Sequence, residues 1–244
     1  MKAEQLQLAL RPRPAYEAVD LGVAMTQRSG RSLLRAFLPL ALLLVVACGA
    51  TMEVSPMLPS MLLWWFKPWL DRTLLHIYAR QAFGEETSFG EAWEARRRAP
   101  WLTMLQWLTI WRLSFWRAYS MPVSQLEGQT GAARRQRAKA ILRSHRGAAM
   151  MAQSTFSWIE LFLALGLVSI VPWMTPGLRN FDAIQWLFGE HLLANCVLYA
   201  AHAAAVLFVE PFFVASGFAM YLNRRVELEA WDVEQDLRHA FAAR

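Results

Sequence analysis

The sequence predicts an all-α, polytopic membrane protein with four transmembrane helices (six as the alternative), plus interfacial and cytoplasmic amphipathic helices. Three observations lead there. The 244-residue chain is 56% hydrophobic and 18% charged, whereas a soluble domain carries about a quarter charged residues. Its apolar residues gather in blocks, at least two with the length and purity of a span. Its basic residues gather in separate segments, as they do in loops that resist translocation.

Taken in order, residues 1–35 read as a polar cytoplasmic segment. Pro12 and Pro14 prevent a long helix at its start. Arg11, Arg13, Arg28, Arg31 and Arg35 all precede the first apolar run. A cleaved signal peptide has its apolar core nearer Met1, so the first block is expected to be retained as a span. That block, 36–52, reaches with its flanks the roughly twenty residues needed to cross hydrocarbon. Glu53, Ser55, Pro56 and Pro59 then mark a tight outer turn. The membrane domain as a whole is read as 36–222.

The second block, 57–83, is interrupted by Lys67, Asp71 and Arg72, and Pro68 is expected to kink it. Lys67 and Asp71 are four apart, so they share a helix face and can pair. They mark either an intramembrane ion pair on a pathway or a helix leaving the bilayer, with Lys67 snorkelling and the pair solvated. We take the second reading as the simpler. Ser88-Phe89-Gly90-Glu91 fits a capping box and predicts a short helix ending near Arg96-Arg97-Arg98. The stretch 101–116 carries Trp101, Trp107, Trp111 and Trp116 with Arg112 and Arg117 nearby. It reads as an interfacial or shallow re-entrant helix.

Residues 128–148 hold Arg134, Arg135, Arg137, Lys139, Arg143 and Arg146 around a narrow stripe of Ala138, Ile141 and Leu142. Three readings stay open for this cytoplasmic segment. It contacts anionic lipid, where each basic residue contributes about 1 kcal/mol; it contacts an acidic partner segment; or it is a retention signal only. The block 156–173 is a second convincing span, with Glu160 placed near its cytoplasmic end. Arg179 is the only basic residue of the loop 175–190, which puts that loop outside. From His191 to Leu222 the chain is apolar except for Glu210 and would be about 48 Å long as a helix. Pro211 allows a kink, and Arg224 and Arg225 fix the cytoplasmic end. The tail, 223–244, continues as an amphipathic helix made acidic by Glu227, Glu229, Asp232, Glu234 and Asp236. Repeated inside signals require an even number of crossings, and four is favoured.

The net charge of +6 is explained by retention of basic loops, and no nucleic-acid motif accompanies it, so nucleic acid is not an expected partner. Membrane lipids and a protein partner in the membrane are. Cys48 and Cys196 lie in apolar blocks and read as small buried hydrophobes rather than a disulfide. No HExxH, Walker loop, GxSxG elbow or Cys-x-x-Cys is present. No catalytic residue, metal ligand or cofactor is therefore assigned.

The most informative constellation is on the last span. His191, Asn195, Tyr199 and His202 recur at intervals of four, four and three, lining one face. Glu210 lies within roughly 80° of that stripe. Such a face serves either a proton, ion or substrate path with His202 and Glu210 titrating, or interhelical hydrogen bonding, which the neighbouring alanines favour. His191-x-x-x-Asn195 matches one motif of membrane-embedded CAAX-type proteases, but Gly90 stands where the Arg after Glu85-Glu86 is needed and no His follows Phe by four, so that assignment is declined.

Four stretches carry a family resemblance: Arg11-Pro-Arg-Pro-Ala-Tyr-Glu-Ala-Val-Asp-Leu-Gly22, Trp64-Trp-Phe-Lys-Pro68, Pro122-Val-x-x-Leu-Glu-Gly128 and Gly217-Phe-Ala-Met-Tyr-Leu-Asn-Arg-Arg-Val-Glu-Leu-Glu-Ala-Trp-Asp232. With these the chain resembles a group of uncharacterised proteobacterial inner-membrane proteins that look like neighbours of MoxR-type ATPase and transglutaminase-like gene clusters. The segment from Tyr221 to Asp232 is also similar to the end of membrane domains associated with glycerophosphodiester phosphodiesterases, which are not the catalytic part. The resemblance implies a bacterial inner membrane location and a role in envelope assembly or stress. The expectation is an integral component or scaffold of a cell-envelope complex, and the alternative is a small ion-coupled transporter or permease. The acidic tail is expected to dock on the basic segment, within one protomer or across a dimer.

Overall fold

Pro14 stands immediately before the first helix, where its fixed φ and missing N–H suit a helix start. In the computed structural model, which describes residues 12–97, 114, 116–143, 145–174 and 192–229, the chain is helical and no strand occurs among the described residues. The helices are α1 (Ala15–Arg28), α2 (Gly30–Glu53), α3 (Leu58–Gln81), α4 (Phe89–Arg97), α5 (Arg117–Gln125), α6 (Gly131–Leu142), α7 (Arg146–Met174) and α8 (Leu192–Glu229). Three of them, α2, α7 and α8, have stretches long and apolar enough to cross a membrane: Gly30–Glu53, Arg146–Ile170 and Leu192–Glu229. The chain is thus helical, with three candidate membrane spans among the described residues. α3 has 24 residues and the length to cross, but the charges expected to interrupt it keep it from qualifying by composition.

α8 is the axis of the bundle, with α1, α3, α5 and α7 packed around it. Between apolar helices in lipid, close approach of backbones replaces the hydrophobic drive, so small residues mark the contacts. A Cβ on Gly22 of α1 would lie 2.3 Å from the Ser216 Cα of α8, and one on Gly217 would lie 2.4 Å from the Ala118 Cβ of α5. Both positions require glycine. The side chain of Asn223 clamps the start of α1, accepting from Arg13 N–H and donating to Arg13 C=O, each at 2.8 Å. The segment read as a polar lead is therefore mostly a helix docked on α8, with Ala18, Met25, Thr26 and Ser29 buried. The helix begins directly after Pro14.

α3 and α8 both run on as helix past Pro68 and Pro211. The Pro211 carbonyl accepts from the Tyr78 hydroxyl at 3.1 Å and from Thr26 at 3.4 Å. The basic segment is not one helix. It breaks after Leu142, and Arg146 begins α7. Cys48 is buried as expected, whereas Cys196 is exposed. The capping box stands as read: Ser88 N–H donates to Glu91 at 2.8 Å, and Glu91 N–H returns to Ser88 Oγ at 3.4 Å. The backbone N–H of Ser88, then the Arg80 guanidinium, hold the Glu91 carboxyl at a pKa of about 2. Of the 101–116 stretch only Ser114 and Trp116 are described. The loop 175–190, His191 and the tail beyond Glu229 also lie outside the described residues.

Candidate functional site

Five charges from four helices meet at one point. From α3 come Lys67 and Asp71, from the start of α5 comes Arg117, from α7 Glu160 and from α8 Glu210. Lys67 Nζ lies 2.5 Å from Glu160 Oε2 and 2.6 Å from Glu210 Oε2. Arg117 reaches Asp71 at 2.8 Å through Nε and Glu210 at 3.1 Å through Nη2. Its guanidinium also stands 5.3 Å from the centre of the Phe213 ring. The five side chains are 0–14% exposed, with Asp71 at 0% and Glu210 at 1%. His202, two turns before Glu210 on α8, sits at the rim, 3.9 Å from Glu160 Oε1.

The helices bring these groups to a common level. Glu160 follows Arg146 by fourteen residues, Glu210 precedes Arg224 by fourteen, and Lys67 precedes Gln81 by fourteen. At 1.5 Å per residue each lies about 21 Å along its helix from the basic end. Arg117 arrives by a different route. α5 runs beside α8, with Arg117 at Glu210, Ala118 against Gly217 and, just past its end, Glu127 at Tyr221. Gln125 donates to the Arg72 carbonyl at 2.8 Å, and Tyr119 to the Ile141 carbonyl at 3.3 Å, which ties α5 to α3 and α6.

Charges at membrane depth are costly unless paired, and removing one partner of a buried pair leaves the other uncompensated. Here Glu210 touches both cations and Lys67 touches two carboxylates, so pairing is shared rather than one to one. Fully ionised, the cluster has three anions and two cations, a surplus of one negative charge.

The solvated, snorkelling reading of Lys67 and Asp71 is overturned, because both are buried. Lys67 turns to Glu160 and Glu210, and Asp71 to Arg117, because those partners stand inside the bundle. Glu160 is partly buried and reaches Lys67 at 2.5 Å. The polar face of α8 is divided. Asn195 is half-buried, and Tyr199 donates to the Val45 carbonyl of α2 at 2.5 Å, an anchor between helices. Of the described members of that face, His202 and Glu210 reach the cluster.

Sequence reasoning missed Arg117 and Glu160 as members. A signal was present: solitary acids and bases of opposite sign within apolar or Trp-rich stretches, which at membrane depth need one another.

A second ionic cluster lies toward the basic end. Arg137 of α6 takes Glu127 in two bonds, at 2.9 and 3.1 Å, and also pairs with Glu229. Tyr221 donates to Glu127 at 2.7 Å, and Arg225 pairs with Glu229 at 2.5 Å. The Glu127 hydrogen bonds, first among the causes, raise the Arg137 pKa further above the ordinary arginine value. His145 lies 3.7 Å from Glu227. The described part of the acidic tail thus lies against the basic segment of its own chain. Arg134 is buried, whereas Arg135, Lys139, Arg143 and Arg146 are exposed. Among the described residues no His, Cys, Asp and Glu group is arranged to hold a metal ion. No family model, curated protein or solved structure matches the chain.

Proposed function

We propose that the chain is an integral inner-membrane component of a cell-envelope complex, which its basic face contacts through an acidic segment of a partner. One observation carries this reading. Arg135, Lys139 and Arg143 follow one another at intervals of four along α6 and its end, and all are exposed without an ion pair among the described residues. Like charges at that spacing destabilise a helix by themselves. Arg137, which meets the acidic tail by ion pairing, points the other way. A row held outward at that cost suits an external anionic partner.

In this reading four helices cross: α2, α3, α7 and α8. α3 becomes the fourth because Lys67 and Asp71 find partners within the bundle. Arg96, Arg97 and the basic row lie between α3 and α7, which puts that connection and both termini on the cytoplasmic side. The test is affinity capture from native membranes in mild detergent, with mass spectrometry, of the wild type and of an Arg135→Gln, Lys139→Gln, Arg143→Gln, Arg146→Gln variant. Stoichiometric recovery of an envelope protein or ATPase, lost in the variant, is expected. Recovery of a homogeneous chain alone overturns the reading.

The buried cluster favours a second reading, a small ion-coupled permease, because its charges do not balance. Replacing His202 and Glu210 with Gln abolishes a transport-linked phenotype in that case and leaves partner capture largely intact in the first.

A further inference from the structure

We propose that the buried cluster is a binding site for one exchangeable proton, held on Asp71 and donated to Glu210. The argument begins from the charge count. Three carboxylates and two permanent cations leave one negative charge unmatched, in a place where neither water nor lipid can screen it. One proton makes the site neutral.

Geometry says which carboxylate holds it. Glu210 receives both Lys67 and Arg117 and has every reason to stay ionised. Glu160 has Lys67 at 2.5 Å, and its side chain is 14% exposed. Asp71 has neither advantage. It is 0% exposed, its one cation, Arg117, approaches side-on without forming an aligned hydrogen bond, and its Oδ1 has no partner. The Asp71 and Glu210 carboxyls meet on the one Arg117 guanidinium, at 2.8 and 3.1 Å. A proton on Asp71 turns that opposed pair of acceptors into a donor and an acceptor. The charged and titratable groups facing this pair are Lys67 on α3, Arg117 on α5, Glu160 on α7 and His202 on α8. His202 and Glu160 are the members nearest the surface, with side-chain exposures of 23% and 14%, so exchange with solvent runs past them.

Loss of the proton leaves one net charge about 21 Å from the basic helix ends, which makes the bundle responsive to pH and to membrane potential. This holds whether the chain serves a complex or moves an ion, so its failure leaves the partner reading untouched.

Infrared difference spectroscopy of the full chain in lipid nanodiscs, titrated with pH in H₂O and D₂O, tests it. At neutral pH a protonated-carboxyl band is expected, shifted by deuterium and wholly lost in Asp71→Asn. Asp71→Asn reproduces the neutral state, so it is expected to fold and to keep its thermal midpoint when the wild type loses stability at alkaline pH. A wild type without the band, or a band that survives in Asp71→Asn, overturns the proposal. Should Asp71→Asn fail to fold, Asp71→Glu carries the test: its band is expected at a changed frequency, and an unchanged band also overturns the assignment.

Discussion

The two ionic clusters use the same side chains to different ends. Toward the basic end, among the described residues, Glu127 and Glu229 face Arg137 and Arg225, two against two, with side chains 12–28% exposed. At depth, Asp71, Glu160 and Glu210 face Lys67 and Arg117, three against two, with side chains 0–14% exposed. The first is balanced although water could cover an imbalance, and the second is unbalanced where nothing can. Among half-exposed ions a mismatch is cheap, so balance there says little. Within a membrane bundle it is expensive, so an imbalance that persists points to a state the protein uses.

The contrast breaks most visibly at Lys67. Lys67→Met leaves Glu160 and Glu210 without their shared cation and is expected to destabilise the bundle by about 3–5 kcal/mol. Reversible unfolding in mixed micelles measures this, and a loss below about 1 kcal/mol would erase the distinction between the clusters. The matching change at the other cluster is Glu127→Gln, which removes one acceptor from Arg137 and Tyr221. Because these groups are partly hydrated, about 1 kcal/mol is expected by the same measurement. A larger loss there than at Lys67 would reverse the comparison.

The smallest effect is at Glu91, an exposed carboxylate outside both clusters. Its pKa of about 2 is below the ordinary 4.5 because it accepts from the Ser88 N–H and pairs with Arg80. A depressed carboxylate contributes stability above its unfolded pKa and loses it as pH falls through the folded one. The thermal-midpoint gap between wild type and Glu91→Gln is therefore present at neutral pH and closes between about pH 4.5 and about pH 2. A gap independent of pH would assign the effect to the helix rather than to the charge.

The sequence by itself determined the class and the punctuation. Apolar blocks of span length required helices, since only intrahelical bonding satisfies a backbone in lipid. Ser88 and Glu91 marked the start of α4 because a capping box is local, needing no distant partner. The stripe on the last span named His202 and Glu210, for helical periodicity is a local property too. What the sequence left open was every decision made between helices. The choice of Lys67 between solvation and burial depended on Glu160 and Glu210, 93 and 143 residues away. The docking of α1 depended on Ser216 and Asn223, and the role of Arg117 on a short helix laid along α8. Isolated charges in apolar runs announce that partners exist, but hydropathy carries no distance information, and only the packed bundle decided which charges met and that one of them was left over.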